Sequence, residues 1–328
     1  MIFMLLKSMS MEEFRGIRRC DVPLRFSKFT VLIGRNNSGK SSILEAISLL
    51  PFPKKLHIVY GKMEATGLLE KLHGGRSSLV YGYYGRARIT YIVDDVSLRV
   101  EIISDGGADV FVEDKRLLSK QDVANLLKMD VERVDGVVLF IPNDSDLIGR
   151  MLEMLKLEEW RSKIQKLGAH VRIVKDLINK CIDDKYTEVL VDSPELRLRK
   201  ELLEGNYFYI KPKDLGDGVE KALVVSLWLE AIKPEIILWD DFEVSVHPSL
   251  IREMLKWLSS KEWQVIISTH SIDVLYRLME IKPRDSSIIL LRKGPDDILK
   301  HQEYSLEDVE DFLNASLDPR LLVDRLGL

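Results

Sequence analysis

The 328-residue chain is 46% hydrophobic, enough to bury one large core or a core carrying an inserted subdomain. Its 48 Lys and Arg nearly balance 52 Asp and Glu, for a formal net charge of -4, so the molecule as a whole does not advertise nucleic-acid binding and any basic patch must be local. Cys20 and Cys181 lie far apart without metal-ligand spacing, which argues against a disulfide framework or a cysteine-based zinc site and makes a reducing cytoplasm the expected setting.

The chain opens on the apolar run Met1 to Leu6, which Lys7 ends far short of a membrane span and which no small-residue cleavage site follows. It reads as a disordered or misassigned start, with Met9 or Met11 equally able to begin the folded part. No other stretch approaches the about 18 apolar residues that a spanning helix needs, so no membrane association is expected. Residues 12 to 33 predict two strands around a turn containing Asp21 and Pro23. The second, Phe29 to Ile33, is a buried strand that runs into Gly34-Arg35-Asn36-Asn37-Ser38-Gly39-Lys40-Ser41. A helix with an apolar face then continues from Ser42 to about Leu50, where Pro51 and Pro53 stop it.

Four short runs follow: Ser78 to Tyr84, Arg88 to Val93, Ser97 to Ile103 and Ala108 to Val112. They are separated by Gly85, Asp94-Asp95 and Asp105-Gly106-Gly107, residues that tolerate the dihedrals of tight turns, so they predict an antiparallel meander. Gln121 to Lys128 predicts a helix and Gly136 to Ile141 a strand. Asp146 to Asp184 predicts a mostly helical block interrupted at Gly168, read as an insertion or lid. Beyond it come strands at Glu188 to Val191 and Tyr207 to Lys211 and a helix at Val219 to Ala231. Two buried strands, Ile236 to Trp239 and Val265 to Ile267, then flank a helix from Pro248 to Ser260, and Ser287 to Arg292 and Leu306 to Asn314 add a strand and a helix. Such alternation is the pattern of a parallel sheet in an α/β core. The expected division is 1–143 as an N-terminal lobe, 144–187 as the helical insertion and 188–328 as a C-terminal α/β lobe.

Gly34 to Ser42 places a glycine-rich bend between a strand end and a helix start, where backbone N–H groups and the positive helix terminus surround phosphate oxygens. Lys40 carries a flexible ammonium able to follow the β- and γ-phosphates of ATP, while the short Ser41 hydroxyl is held where it ligates Mg²⁺. A second element, Ile236 to Glu243, is an apolar strand ending in two carboxylates. Asp240 is placed to hold the metal and Asp241 to orient an attacking water, since adjacent side chains leave an extended backbone in different directions. The third is Ser268-Thr269-His270-Ser271, where the His270 imidazole lies just beyond a buried strand and is suited to sensing a γ-phosphate or holding the water.

With these three elements the chain resembles the ATP-binding-cassette-like ATPases of the RecF, SMC and OLD group, and most closely the small archaeal and bacterial AAA-family proteins of AbiEii-like type. The resemblance spans most of residues 12 to 292 and implies a P-loop NTPase fold with an ABC-type head, an antiparallel meander lobe and a compact helical insertion. It gives meaning to Asp214 to Val219 as a modified signature motif, in which Leu215, Gly216, Asp217 and Gly218 would contact nucleotide held by a second subunit in an ATP-sandwiched homodimer. Two departures are visible. Asp241 stands where the family commonly has glutamate, with Glu243 as a nearby substitute, and Asp217 stands where many relatives have a small hydroxyl residue, with Lys221 available to offset its charge. Family members also sense Mg²⁺ with a glutamine; Gln121 lies in the right broad interval, but Asn143 and Asp144 sit at a more suitable junction. His247 falls near the expected dimer surface.

The implied function is ATP binding and slow Mg²⁺-dependent hydrolysis that controls a partner of unknown identity. The alternatives are a nucleic-acid end-binding or repair ATPase and a non-hydrolysing ATP-dependent dimerisation switch. Arg15-Gly16-Ile17-Arg18-Arg19 and Arg197-Leu198-Arg199-Lys200 would contact DNA or RNA phosphates only if displayed on a common face. The five tryptophans form no stacking platform, and too few residues follow Arg292 for a nuclease domain. Kinase chemistry is disfavoured because no phosphoacceptor pocket is apparent.

Overall fold

The computed structural model describes residues 5–61, 63–191, 195–202 and 205–324. It opens with β1 (Leu6–Phe14), β2 (Ile17–Cys20), β3 (Leu24–Arg25) and β4 (Phe29–Gly34), then α1 (Lys40–Ser48) and α2 (Ala65–His73). A meander of β5 (Arg86–Val93), β6 (Val96–Ile103), β7 (Ala108–Val112) and β8 (Lys115–Leu117) leads through α3 (Lys120–Leu126) to β9 (Val138–Ile141). Three helices follow, α4 (Leu147–Leu155), α5 (Glu158–Lys166) and α6 (Ala169–Asp176), and then a small sheet of β10 (Tyr186–Leu190), β11 (Arg197–Glu201) and β12 (Tyr207–Ile210). The remainder alternates: α7 (Asp217–Ile232), β13 (Ile236–Trp239), α8 (Pro248–Ser259), β14 (Gln264–Ser268), α9 (Ile272–Ile281), β15 (Ser286–Lys293), β16 (Ile298–Tyr304) and α10 (Leu306–Asn314). A 3-10 turn at Pro319–Asp324 closes the described chain.

Thirteen strands form one sheet in the order β8-β7-β6-β5-β1-β2-β16-β15-β4-β14-β13-β9, with β3 on β1. Its antiparallel end is the meander. Its other end, β15-β4-β14-β13-β9, is parallel throughout, and the register pairs Ser268 with Leu32, and Trp239 with both Ile267 and Ile141. The carboxyl ends of β4, β14, β13 and β9 therefore stand side by side, which is where open α/β sheets bind ligands.

Each parallel strand is buried on both faces, so these runs are continuously apolar. Successive residues feed opposite cores: Val31, Ile237, Trp239 and Ile267 join one, and Leu32, Ile236, Leu238 and Ile266 join the other with the apolar face of α1. Helix α7 is buried from Ala222 to Ala231, because it shares a core with Val31, Ile237 and Trp239 of the sheet and packs against α4, α5 and α6. Trp228 makes that second contact specific: its ring lies 4.4 Å from Trp160 and its indole N–H donates to the Met151 carbonyl at 3.2 Å. Glu230 ties the same helix to Arg172 and Lys261, each at 2.7 Å.

Several expectations change. The folded part already includes Leu6, which is buried and whose N–H and carbonyl bond the Gln264 side chain at 2.9 and 2.8 Å; neither Met9 nor Met11 begins it, and Met1 to Met4 fall outside the described residues. Residues 12 to 33 carry four strands rather than two. Ser78 to Tyr84 is not a strand but two 3-10 turns, because Gly82 and Tyr83 take φ of 64° and 66°. Strands β8, β11 and β16 were not anticipated, since charged residues mask the alternation within them, and helices α2 and α9 were not anticipated although their buried residues recur at helical spacing. Gly168, at φ 63°, does break the helical block between α5 and α6.

Burial of Lys55 predicts a pH dependence of stability. Lys55, fully buried below α1, donates to the Leu50 carbonyl and to Val138 O at 3.4 Å, and burial pushes its pKa from 10.5 down to about 7. Between those values the unfolded chain holds a proton that the folded chain lacks, so stability rises with pH across this window. Denaturant titrations at pH 7 and pH 9 should show the wild type gaining about 2 kcal/mol relative to Lys55→Met. Parallel behaviour of the two proteins would show that the ammonium stays charged on its carbonyl partners.

Candidate functional site

The loop after β4 is shaped by two glycines whose positive φ would strain any side chain. Gly34 has φ 148°, and a Cβ there would lie 2.5 Å from Leu291 O and 2.7 Å from Ser38 Oγ. Gly39 has φ 99° and precedes α1, with Ile17 Cδ1 only 3.1 Å from an added Cβ. Arg35, Asn36 and Asn37 are exposed at the bend, whereas the Ser38 hydroxyl is buried without a partner. Lys40 folds back over the loop, its ammonium donating to Gly34 O and Arg35 O at 3.1 Å each. Burial lowers its pKa, and the carboxylates of Asp241, Asp240 and Glu243 oppose that shift. Gly39 to Ser42, together with Asn36 to Ser38, Arg15, Lys293 and His270, line a cavity of about 390 Å³.

The end of β13 meets this loop directly. Asp240 is buried, which raises its pKa, and it accepts hydrogen bonds from Ser41 and from Ser268 Oγ, the latter at 2.5 Å. Asp241 follows in a left-handed turn at φ 47°, and its N–H donates to the same Ser268 oxygen at 2.8 Å. Its carboxylate accepts from Asn143 Nδ2 at 2.9 Å and stands 3.7 Å from His270 Nε2. Glu243 turns toward the peptide of His270, accepting its N–H at 2.7 Å, while its other oxygen is buried without a partner. Ser41, Lys40, Asp240, Asp241 and His270 thus converge from three connections of one sheet.

The glycine-rich segment that leads into the first turn of α7 does not join them. Leu215 ends a 3-10 turn, Gly216 caps α7 with φ 108°, Asp217 is exposed in the first turn, and none of the residues from 215 to 218 lines the cavity. Gly218 is needed for a different close approach: an added Cβ would sit 2.2 Å from Ser245 O. Lys221 is directed to the acidic turn of its own chain, with Nζ 3.3 Å from Val244 O and with Glu243, Asp241 and Asp240 opposing the lowering of its pKa by burial. Gln121 bonds Asn125 on α3, Asp144 accepts from the Tyr60 hydroxyl at 2.5 Å, and His247 caps α8 through Ser249.

The basic runs are partly engaged locally, while Arg18, Arg19 and Arg197 are exposed. Arg15 is held by Glu45 of α1 and by His73 at 2.6 Å, Arg199 lies 4.0 Å from the Tyr207 ring, and Lys200 pairs with Asp184 at 2.6 Å. The two runs belong to different sheets. All five tryptophans are buried. Lys293, Glu45 and His73 escaped the sequence reading; Ser268 and Arg15 lay in runs it singled out, but their bonds to Asp240 and Asp241 and to Glu45 and His73 depend on neighbours distant in the chain.

Residues 4–118 match the family described as AAA ATPase domain. Residues 108–275, half of the chain and containing β13, His270 and the segment before α7, match the family described as AAA domain, putative AbiEii toxin, Type IV TA system. The chain belongs to that AAA family. None of the curated proteins matches the sequence. Among solved structures the AAA chain is similar to an SMC head bound to the C-winged helix domain of ScpA, with 16% identity, 93% of this chain and 99% of that one covered, and a TM-score of 0.66. It is likewise similar to an SMC head with an extended coiled coil from Pyrococcus furiosus (14% identity, 95% and 99% covered, TM-score 0.58). The SMC head domain from Thermotoga maritima gives 14% identity, 92% and 99% coverage and a TM-score of 0.52. At these identities the likeness is one of fold: this AAA protein has the P-loop ATPase architecture of an SMC head.

A substitution tests the packing of the first turn of α7. Because the Ser245 contact is a backbone carbonyl that cannot rotate away, Gly218→Ala should lower unfolding free energy by about 1–3 kcal/mol in a denaturant titration. An unchanged midpoint would mean that the loop after β13 yields freely.

Proposed function

We propose that the protein binds Mg-ATP in the Gly34 to Ser42 loop, hydrolyses it slowly, and uses ATP-sandwiched homodimerisation to control a partner. The contact of Ser41 and Ser268 with Asp240 carries this reading, since it joins the phosphate loop to the acidic strand end in one hydrogen-bonded unit. Ser41 and Asp240 offer adjacent hard oxygen donors, the set that suits Mg²⁺ when phosphates and waters complete the shell. When bound, the ion neutralises charge on the β- and γ-phosphates. Lys40 exchanges its two loop carbonyls for phosphate oxygens, and the anion restores the charge that burial opposes.

Asp241 is the residue that orients water. Asn143 donates to its carboxylate at 2.9 Å, and His270 Nε2 stands 3.7 Å away beyond hydrogen-bond reach, so its direction is set by Asn143 even though its side chain is one methylene shorter than the family's glutamate. That shorter reach supports slow turnover. Glu243 is committed to the His270 peptide and serves as support. Leu215 to Gly218 stand outside the cavity of their own chain, which supports their completing the site of a second copy, with Asp217 set against the partner's nucleotide. The helices of the proposed insertion 144–187, packed on α7, would pass that closure to a partner surface, with 1–143 and 188–328 as the proposed flanking lobes.

A cytoplasmic location is part of this proposal and is consistent with two unpaired cysteines, whose thiols burial pushes up to about 11 at Cys20 and about 12 at Cys181; no described helix is long and apolar enough to cross a membrane. The nucleic-acid reading is less supported, since the two basic runs belong to different sheets and Arg15, Arg199 and Lys200 are engaged within the chain.

Lys40→Ala should weaken ATP binding about 100-fold by calorimetry, the loss of a charge-assisted phosphate contact. Asp241→Asn should keep that affinity but lower phosphate release about 100-fold, and its mass in Mg-ATP should double. Unaltered ATP affinity in Lys40→Ala would sink the site. A monomer at saturating Mg-ATP would reject the sandwich, and equal phosphate release by Asp241→Asn would reject the water-orienting role.

A further inference from the structure

Beyond α10 the chain returns across β4 and β15 as the turn Pro319–Asp324, and Leu322 is buried in the same core as Phe29 and Leu290. This anchoring sets Arg320 beside the connection between β14 and α9. Asp318 holds the Arg320 guanidinium through Nε at 2.9 and 3.1 Å and through Nη2 at 2.5 Å, and also accepts the Arg320 backbone N–H at 2.9 Å. The remaining nitrogen, Nη1, donates to the carbonyl oxygen of His270.

From the other side, Glu243 accepts the His270 N–H at 2.7 Å. Both backbone polar groups of His270 are therefore gripped by charged side chains, one from the connection after β13 and one from the far end of the chain. Hydrogen bonds to charged groups are the strong ones, and a guanidinium already fixed by a carboxylate loses little freedom in making one more. The backbone of His270 is also bracketed by the Thr269 N–H on Leu32 O at 3.1 Å and the Ser271 N–H on Thr269 Oγ1 at 3.0 Å. With the peptide plane set, the imidazole is carried to 3.7 Å from Asp241.

We infer that Arg320, oriented by Asp318, is a positioning residue that clamps the His270 peptide and so fixes the imidazole against Asp241. Its kinetic consequence rests on the ATPase reading above; the clamp itself is a statement about the backbone at 268–271. Releasing the carbonyl lets the short connection rotate, and small displacements of a catalytic group cost rate far more than they cost ground-state binding.

The test uses the full chain and the variants Arg320→Ala, Arg320→Lys and Asp318→Ala. Arg320→Ala should lower kcat about 10-fold with Kd for ATP within about two-fold of wild type, Asp318→Ala should fall between them, and Arg320→Lys should recover most of the rate. Hydrogen exchange read by mass spectrometry should quicken at least about 5-fold at the His270 amide in Arg320→Ala, with or without nucleotide. Unchanged exchange at His270 overturns the clamp. So does a rate loss matched by an equal loss of ATP affinity that Arg320→Lys fails to rescue, because that marks a general structural role. If the wild type releases no phosphate, the ATPase reading fails on its own, and the exchange measurement alone decides for or against the clamp.

Discussion

One hydroxyl organises the acidic end of the sheet. Ser268 Oγ donates to the Asp240 carboxylate at 2.5 Å and accepts the Asp241 amide at 2.8 Å, so a single atom satisfies two consecutive residues of the neighbouring strand end. That geometry exists only because β13 and β14 pair in parallel with Trp239 opposite Ile267, and because β14 in turn pairs with β4. A slip of one residue in either pairing would turn every side chain of the strand to the opposite core. The two apolar layers thus enforce the register, and the register sets the distance between the phosphate loop and the carboxylates.

The cost of gathering charge in this place is visible in the groups themselves. Burial raises Asp240 and lowers Lys40 and Lys221, while the acids and amines offset one another across a few ångströms. Such opposed shifts cluster where a charged ligand is expected. Lys221 extends the network to α7, the helix that the three-helix block covers, so one rigid element touches both the acidic turn and the helical layer.

Much of the site was legible beforehand because its signals are local. Gly34 and Gly39 need backbone conformations or approaches that a Cβ forbids, and the continuous apolar runs before Gly34, Asp240 and Ser268 require strands buried on both faces. Less was legible where charge hides burial. β11 carries Arg197, Arg199 and Lys200 yet buries Leu198, and β16 alternates weakly, so neither declares itself by period. Ser78 to Tyr84 misled in the opposite sense, since an aromatic-rich run with strand propensity was overridden by the left-handed φ of Gly82 and Tyr83.

By itself the sequence determined a P-loop α/β chain with an acidic strand end and a histidine connection, for dihedral preference, side-chain alternation and glycine placement act over a few neighbouring residues. Only the tertiary structure decided the order of strands, the sharing of Ser268 between Asp240 and Asp241, the local pairing of Arg15 and Lys200, and the reach of Arg320 to His270. These are contacts between segments far apart in the chain. No local propensity encodes them; the packing of two apolar cores against one twisted sheet brings the partners within hydrogen-bond distance.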